Sequence, residues 1–215
     1  MLHEYYTVKH AGQDELMIQK SRFIGYVRRV ETEEAAQAFI EEIKKKHYDA
    51  THNCSAYIIG EHDQIQKAND DGEPSGTAGI PMLEVLKKMK LKDTAVVVTR
   101  YFGGIKLGAG GLIRAYGNTT SQAIKTTGIV KRQLMQGISI TVEYPLLGKL
   151  ENEIRQSEHI LDGIDYQEKV NFHVYVKKGT EDKFMEWITD LTNDQADMKQ
   201  TKLTYIEIDV DSTDE

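Results

Sequence analysis

One cysteine in 215 residues, Cys54, excludes an intrachain disulfide and a zinc site built from several thiolates, and it fits a reducing compartment. No run of about 20 apolar residues is present, so no membrane-spanning helix is expected. The opening MLHEYYTVKHAGQDEL lacks a basic segment followed by an apolar stretch. No secretory leader is therefore expected, and the chain is assigned to the cytoplasm. The histidines show no metal-ligand spacing, and neither metal nor other cofactor is expected. What remains is ordinary for a globular protein, with 40% hydrophobic and 28% charged residues, in a chain long enough for two cores.

The net charge of -7 is unevenly distributed. Residues 1–132 carry 19 basic and 16 acidic side chains, net +3, whereas residues 133–215 carry 8 and 18, net -10. An acidic whole argues against general wrapping of nucleic acid, yet the mildly basic first part can still meet phosphate locally.

Periodicity divides the chain at the same place. EYYTV and ELMIQKSRFIGYVRRV read as strands, with a hairpin expected around Ala11 to Asp14. Thr32 then precedes EEAAQAFIEEIKKKH, a helix with acids in its first turn and lysines in its last, whose spaced positions are Ala35, Ala38, Phe39, Glu42 and Ile43. SAYIIG is a strand, HDQIQKAND a polar return, and AGIPMLEVLKKMK a second helix with Pro81 near its start. The β-branched run DTAVVVTRYF suits a strand buried on both faces, and a third helix runs from about Gly110 to Thr127 before Gly128 breaks it. Beyond it the order is strand, helix, strand, strand, helix, strand. This βαββαβ pattern implies a ferredoxin-like domain over residues 133–215, after a first domain over residues 1–132. The fold class is α+β. DSTDE, at 211–215, reads as an acidic, frayed tail.

Two glycine-rich stretches carry the chemistry. DDGEPSGTAGIP sets Asp70, Asp71 and Glu73 in one turn. Their spacing does not reproduce a calcium loop; they read as braces pairing with Arg100 or Arg114, or alternatively as acid, base or ligand groups of an enzyme. TRYFGGIKLGAGGLIRAYG offers Gly103, Gly104, Gly108, Gly110 and Gly111 before a helix start. Turned amides, the helix dipole and the cations Arg100, Lys106 and Arg114 make an anion site for phosphate or an acidic side chain, and Tyr101 and Phe102 are candidates for stacking on an unpaired base. The glycines also suit a tight strand-to-helix connection and nothing more. The loop lacks the ending of an ATPase phosphate loop and the acid of a dinucleotide fingerprint. His52 and Cys54 share one face of an extended strand, which raises a nucleophile reading for a thiol that is more simply buried.

KSRFIG, ATHNCSAY, DDGEPSGTAG and TRYFGGIKLGAGGLIRAYG, in this order between residues 20 and 117, resemble the IMPACT family in its bacterial YigZ/YvyE-like branch. The resemblance implies an N-terminal α+β domain of ribosomal-protein type, as in the fourth domain of elongation factor G, followed by a ferredoxin-like domain similar to that factor's fifth. Together with the basic first part and the anion-ready loop, the resemblance leads to the expectation of a translation-associated regulator without enzymatic activity, contacting RNA, the ribosome or a ribosome-linked protein through a glycine-rich basic face. The alternative is a hydrolase or transferase acting on a phosphorylated small molecule through Asp70, Asp71 or Glu73. A third reading, a protein-binding module, predicts an exposed apolar patch on a sheet.

Overall fold

The structure, a computed structural model, describes residues 1–210; the segment DSTDE lies outside the described residues. Ten strands and five α-helices follow one another as β1 (Glu4–Val8), β2 (Gly12–Ile18), β3 (Ser21–Arg29), α1 (Glu33–Lys46), β4 (His52–Ile59), β5 (Ile65–Asn69), α2 (Gly79–Lys88), β6 (Thr94–Tyr101), α3 (Gly108–Thr127), β7 (Ile129–Val142), α4 (Leu147–Gln156), β8 (Ile160–Tyr166), β9 (Val170–Lys177), α5 (Glu181–Thr192) and β10 (Asp197–Asp209). They form two compact units. Among the described residues, Tyr5–Lys131 belong to the first together with Ile208–Val210, and Met1–Glu4 with Arg132–Glu207 make the second.

The sheet of the first unit runs β2-β3-β6-β4-β5, with every pairing antiparallel. Because alternate residues of a strand point to opposite faces, the run Ala95, Val96, Val97, Val98 feeds two cores at once. Ala95 and Val97 pack with Ala36, Phe39 and Ile43 of α1. Val96 and Val98 pack with Met82 and Leu86 of α2 and with Leu112, Ala115 and Tyr116 of α3. Helices thus cover both faces, and each fully buried large side chain contributes about 1.5–3 kcal/mol from leaving water.

The sequence also dictates the helix ends. Thr32 caps α1, its Oγ1 accepting from the Ala35 N–H at 3.2 Å, with Glu33 and Glu34 in the first turn and Lys44, Lys45 and Lys46 in the last. The inward face uses Ala36 rather than Ala35 and Ala38, because Phe39 and Ile43 fix the phase. Gly128 ends α3 with φ 83°, and β7 begins one residue later.

One expectation fails. No hairpin at Ala11–Asp14 joins β1 to β2, since β1 pairs with β7. The true hairpin joins β2 to β3, where Ile18 faces Ser21 and Gln19 and Lys20 take φ 45° and 66°, the left-handed pair of a tight two-residue turn.

In the second unit the order is β8-β9-β7, with β10 also on β7, which is the split βαβ arrangement. Ile138 and Ile140 of β7 and Phe172, Val174 and Val176 of β9 turn to one face and meet Leu150 and Ile154 of α4 and Phe184 and Ile188 of α5. The N-terminal residues contribute here: the His3 carbonyl accepts from the Leu134 N–H at 2.8 Å, and the Leu2 carbonyl from the Tyr205 hydroxyl at 2.7 Å.

Candidate functional site

The loop between β5 and α2 turns back on itself at once. Asp71 and Gly72 take φ 43° and 89°, and the Glu73 N–H closes on the Asp70 carbonyl at 2.9 Å. That reversal aims the three carboxylates in three directions.

Asp70 points at the start of α2, whose own cap position, Ala78, has no side chain able to accept. One Asp70 oxygen accepts from the Ala78 and Gly79 N–H groups at 3.1 and 2.8 Å, and the other from the Gly76 N–H at 2.8 Å. Burial works to raise this carboxyl, but the three amides outweigh it and hold it below the ordinary value of 3.8. Asp70 is therefore a helix cap supplied from eight residues upstream.

Asp71 points the other way. Its carboxylate takes the Asn53 N–H at 2.7 Å and pairs with Lys44 of α1 at 2.9 Å. The Asp71 carbonyl accepts from His52 Nδ1 at 2.8 Å, which assigns the ring proton to that nitrogen and leaves Nε2 facing Glu73 at 3.7 Å.

Glu73 turns inward and is only 8% exposed. Its Oε1 receives Arg100 at 2.6 Å and the Tyr116 hydroxyl at 2.8 Å. Arg100 is 5% exposed, lies over the rings of Phe23 and Phe102, and reaches Ser21 at 3.4 Å. Two charges removed from water in this way are tolerated only because each has a partner. Arg100 accordingly leaves the set expected at the surface, because its guanidinium is spent inside. Each of the three acids is likewise engaged by the chain's own groups, as the brace reading expects, although Asp71 is held by Lys44 and Asp70 by backbone amides rather than by an arginine. Among the described residues no cluster of His, Cys, Asp or Glu can hold a metal.

Cys54 donates to the Asp70 carbonyl at 3.0 Å, and burial pushes its thiol up to about 12. A nucleophile needs the thiolate, so Cys54 is a packing residue.

The second loop behaves differently. The Phe102 N–H donates to Thr51 Oγ1 at 3.0 Å and the Gly103 N–H to Ser21 Oγ at 3.3 Å. Gly103 is required by contact: a Cβ there would lie 1.8 Å from the Lys20 carbonyl oxygen. From Gly104 to Gly110 every residue but Leu107 is exposed. Gly104 and Gly108 take φ 88° and 70°, with nothing near the space a Cβ would fill. Helix α3 then opens with no side-chain cap. The first four N–H groups of a helix have no partner within it, so an anion can use them.

Around this opening stand Lys106 and Arg114, both exposed, with Phe102 at 45% and Ile105 at 40%. Gly110 is exposed and Gly111 half-buried. Tyr101 is less free: its hydroxyl contacts His47 Nδ1 at 2.8 Å and Asp49 at 3.2 Å, and Arg22 sits over its ring. Sequence reasoning missed Tyr116, Ser21 and Lys44. For Tyr116 a signal existed, since it lies at helical spacing with Leu112 and Ala115 on the buried face, where a hydroxyl requires a partner.

No described helix is long and apolar enough to cross a membrane. Residues 19–124 match the Impact N-terminal domain, and residues 140–195 match a domain of unknown function (DUF1949). The chain is 60% identical over 207 residues to "IMPACT family member YvyE" of Bacillus subtilis (strain 168), covering 96% of this chain and 95% of that one. It is 36% identical to "IMPACT family member YigZ" of Escherichia coli (strain K12), covering 81% and 87%. A solved structure described as "Crystal structure of an hypothetical protein" superimposes with TM-score 0.60 at 30% identity, over 94% of this chain and 99% of the other.

Proposed function

Starting from a chain that belongs to the IMPACT family, we propose that it is a non-enzymatic, translation-associated regulator that binds RNA or the ribosome through the glycine-rich opening of α3. The observation carrying this reading is the exposed, uncapped start of α3 with Lys106 and Arg114 beside it. Backbone N–H groups and cations position phosphate, and the exposed ring of Phe102 offers a plane for an unpaired base. The enzyme reading loses its support, because the carboxylates it needs are engaged internally.

Binding of an unstructured RNA oligomer and of purified ribosomes, measured over a series of salt concentrations, tests the proposal. Each phosphate contact on a single strand contributes about 0.7 to the salt slope, so Lys106→Ala with Arg114→Ala should lower it by about 1.4. Absence of binding at low salt, or a slope unchanged in the double variant, overturns the reading.

A further inference from the structure

Helices α2 and α3 lie side by side on one face of the first unit's sheet and spend their inner faces on its core. Between their outer flanks runs an open groove of about 1040 Å³. Its apolar lining comes from Ile80, Val85 and Met89, from Ile113 of α3, and from Ile129 and Val210, all within the first unit. Ile80 is 53% exposed and Ile113 44%. Gly117 of α3 also lines it, and a Cβ there would only just touch Val85, at 4.0 Å. A glycine at mid-helix costs about 1 kcal/mol relative to alanine, and here its absent side chain keeps the groove deep.

The banks of the groove are cationic. Lys88, Lys90, Arg114 and Lys125 line it, are exposed, and form no ion pair among the described residues. The one acid in the lining, Glu84, is held by Lys87 at 3.0 Å. An aliphatic floor between unpaired cations has a specific complement: a helix with an apolar stripe flanked by carboxylates. Nucleic acid fits less well, because bases stack on aromatic planes and Tyr6 supplies the one ring in the lining.

We propose that the α2–α3 groove of this protein is a docking site for an acidic amphipathic helix of a partner protein. This surface is separate from the phosphate-binding role assigned to the glycine-rich loop, and either can fail while the other stands. Arg114 borders both and is left unchanged in the test.

The probe is a labelled synthetic peptide of about 14 residues with leucines at i, i+3, i+4 and i+7 and glutamates flanking them, titrated with the full chain by fluorescence anisotropy. Saturable binding in the range of about 10 μM is expected. It should weaken about tenfold or more with Lys88→Glu plus Lys125→Glu, and equally with Gly117→Leu, which fills the groove. Gly117→Leu replaces a poor helix former by a good one, and an unlowered melting temperature separates lost docking from lost folding. A composition-matched peptide with its leucines scrambled should bind about tenfold more weakly.

Failure to saturate, equal binding of the scrambled peptide, or indifference to Gly117→Leu overturns the proposal. So does an RNA oligomer whose binding shows the same sensitivity to both variants, which would assign the groove to nucleic acid. A dimer in sedimentation that Gly117→Leu dissociates would assign it to a second copy of the chain. Binding by a chain ending at Val210 but not by the full chain would assign it to residues 211–215, and would overturn the partner reading too.

Discussion

The loop from Asp70 to Ala78 and the stretch from Phe102 to the opening of α3 at Gly108–Gly111 are both rich in glycine, carry charge of opposite sign and have opposite fates. In the first, every carboxylate is consumed by the chain: Asp70 by the α2 amides, Asp71 by Lys44 and Asn53, Glu73 by Arg100 and Tyr116. In the second, the groups that bond are at its start, Phe102 and Gly103, Leu107 packs against the core, and Gly104–Lys106 and Gly108–Gly110 are exposed. Charge density therefore does not tell which stretch is left open to solvent. What distinguishes the two is whether the chain has already supplied a partner.

The comparison predicts that substitutions in the first loop cost stability and those in the second cost binding. The largest effect belongs to the buried pair. Glu73→Ala or Arg100→Ala strands a charge and should destabilise by about 3–5 kcal/mol, seen as a shifted urea midpoint. Replacing both by apolar residues of similar volume, Glu73→Leu with Arg100→Met, should recover part of that loss, and adding Tyr116→Phe, which removes the hydroxyl that Glu73 accepts from, should recover more. Losses from the two single substitutions that simply add in the double variant would show that the pair is not a unit.

Next comes Asp70→Ala, which removes the cap of α2 and should cost about 1–2 kcal/mol. Its pH dependence follows from a folded-state value below 3.8. The Asp70 contribution is fully present above the ordinary value and is lost as pH falls through the lowered one. Acid unfolding curves of the parent and the variant should therefore converge as the pH drops below about 3.8.

Gly104→Ala places a side chain at positive φ in open space and should cost about 1 kcal/mol through backbone strain alone. Smallest is Lys106→Ala, expected within about 0.5 kcal/mol of the parent in the same unfolding assay. If Lys106→Ala instead destabilised by as much as Asp70→Ala, the second loop would also be a brace, and the contrast would dissolve.

Much of this was legible in the sequence because the signals were local. Thr32 before two glutamates marked a cap, and four consecutive buried positions from Ala95 to Val98 marked a strand with two covered faces. The turn at Gln19 and Lys20 was not legible, because neither residue type favours the left-handed region; the surrounding strand register imposes it. The bracing idea was accessible from charge, but the choice of partners was not. Glu73 and Arg100 are 27 residues apart, and only the β4–β6 register, with His52 opposite Arg100, brings that side chain beneath the turn. Lys44 looked like an ordinary basic residue in the last turn of a helix until Asp71 was placed beside it.

The grouping of Met1–Glu4 with Arg132–Glu207, and of Ile208–Val210 with Tyr5–Lys131, bears on how the polypeptide is made. A ribosome extrudes residues in order, yet the first four wait for neighbours from position 132 onward, and the unit built from Tyr5–Lys131 is completed only by Ile208–Val210. Neither unit can therefore finish assembling until residues that follow or precede the whole of the other have been made. Severing the polypeptide after Lys131 would hand each fragment a piece of the other's fabric, so limited proteolysis should yield nicked, co-purifying pieces sooner than two independent halves.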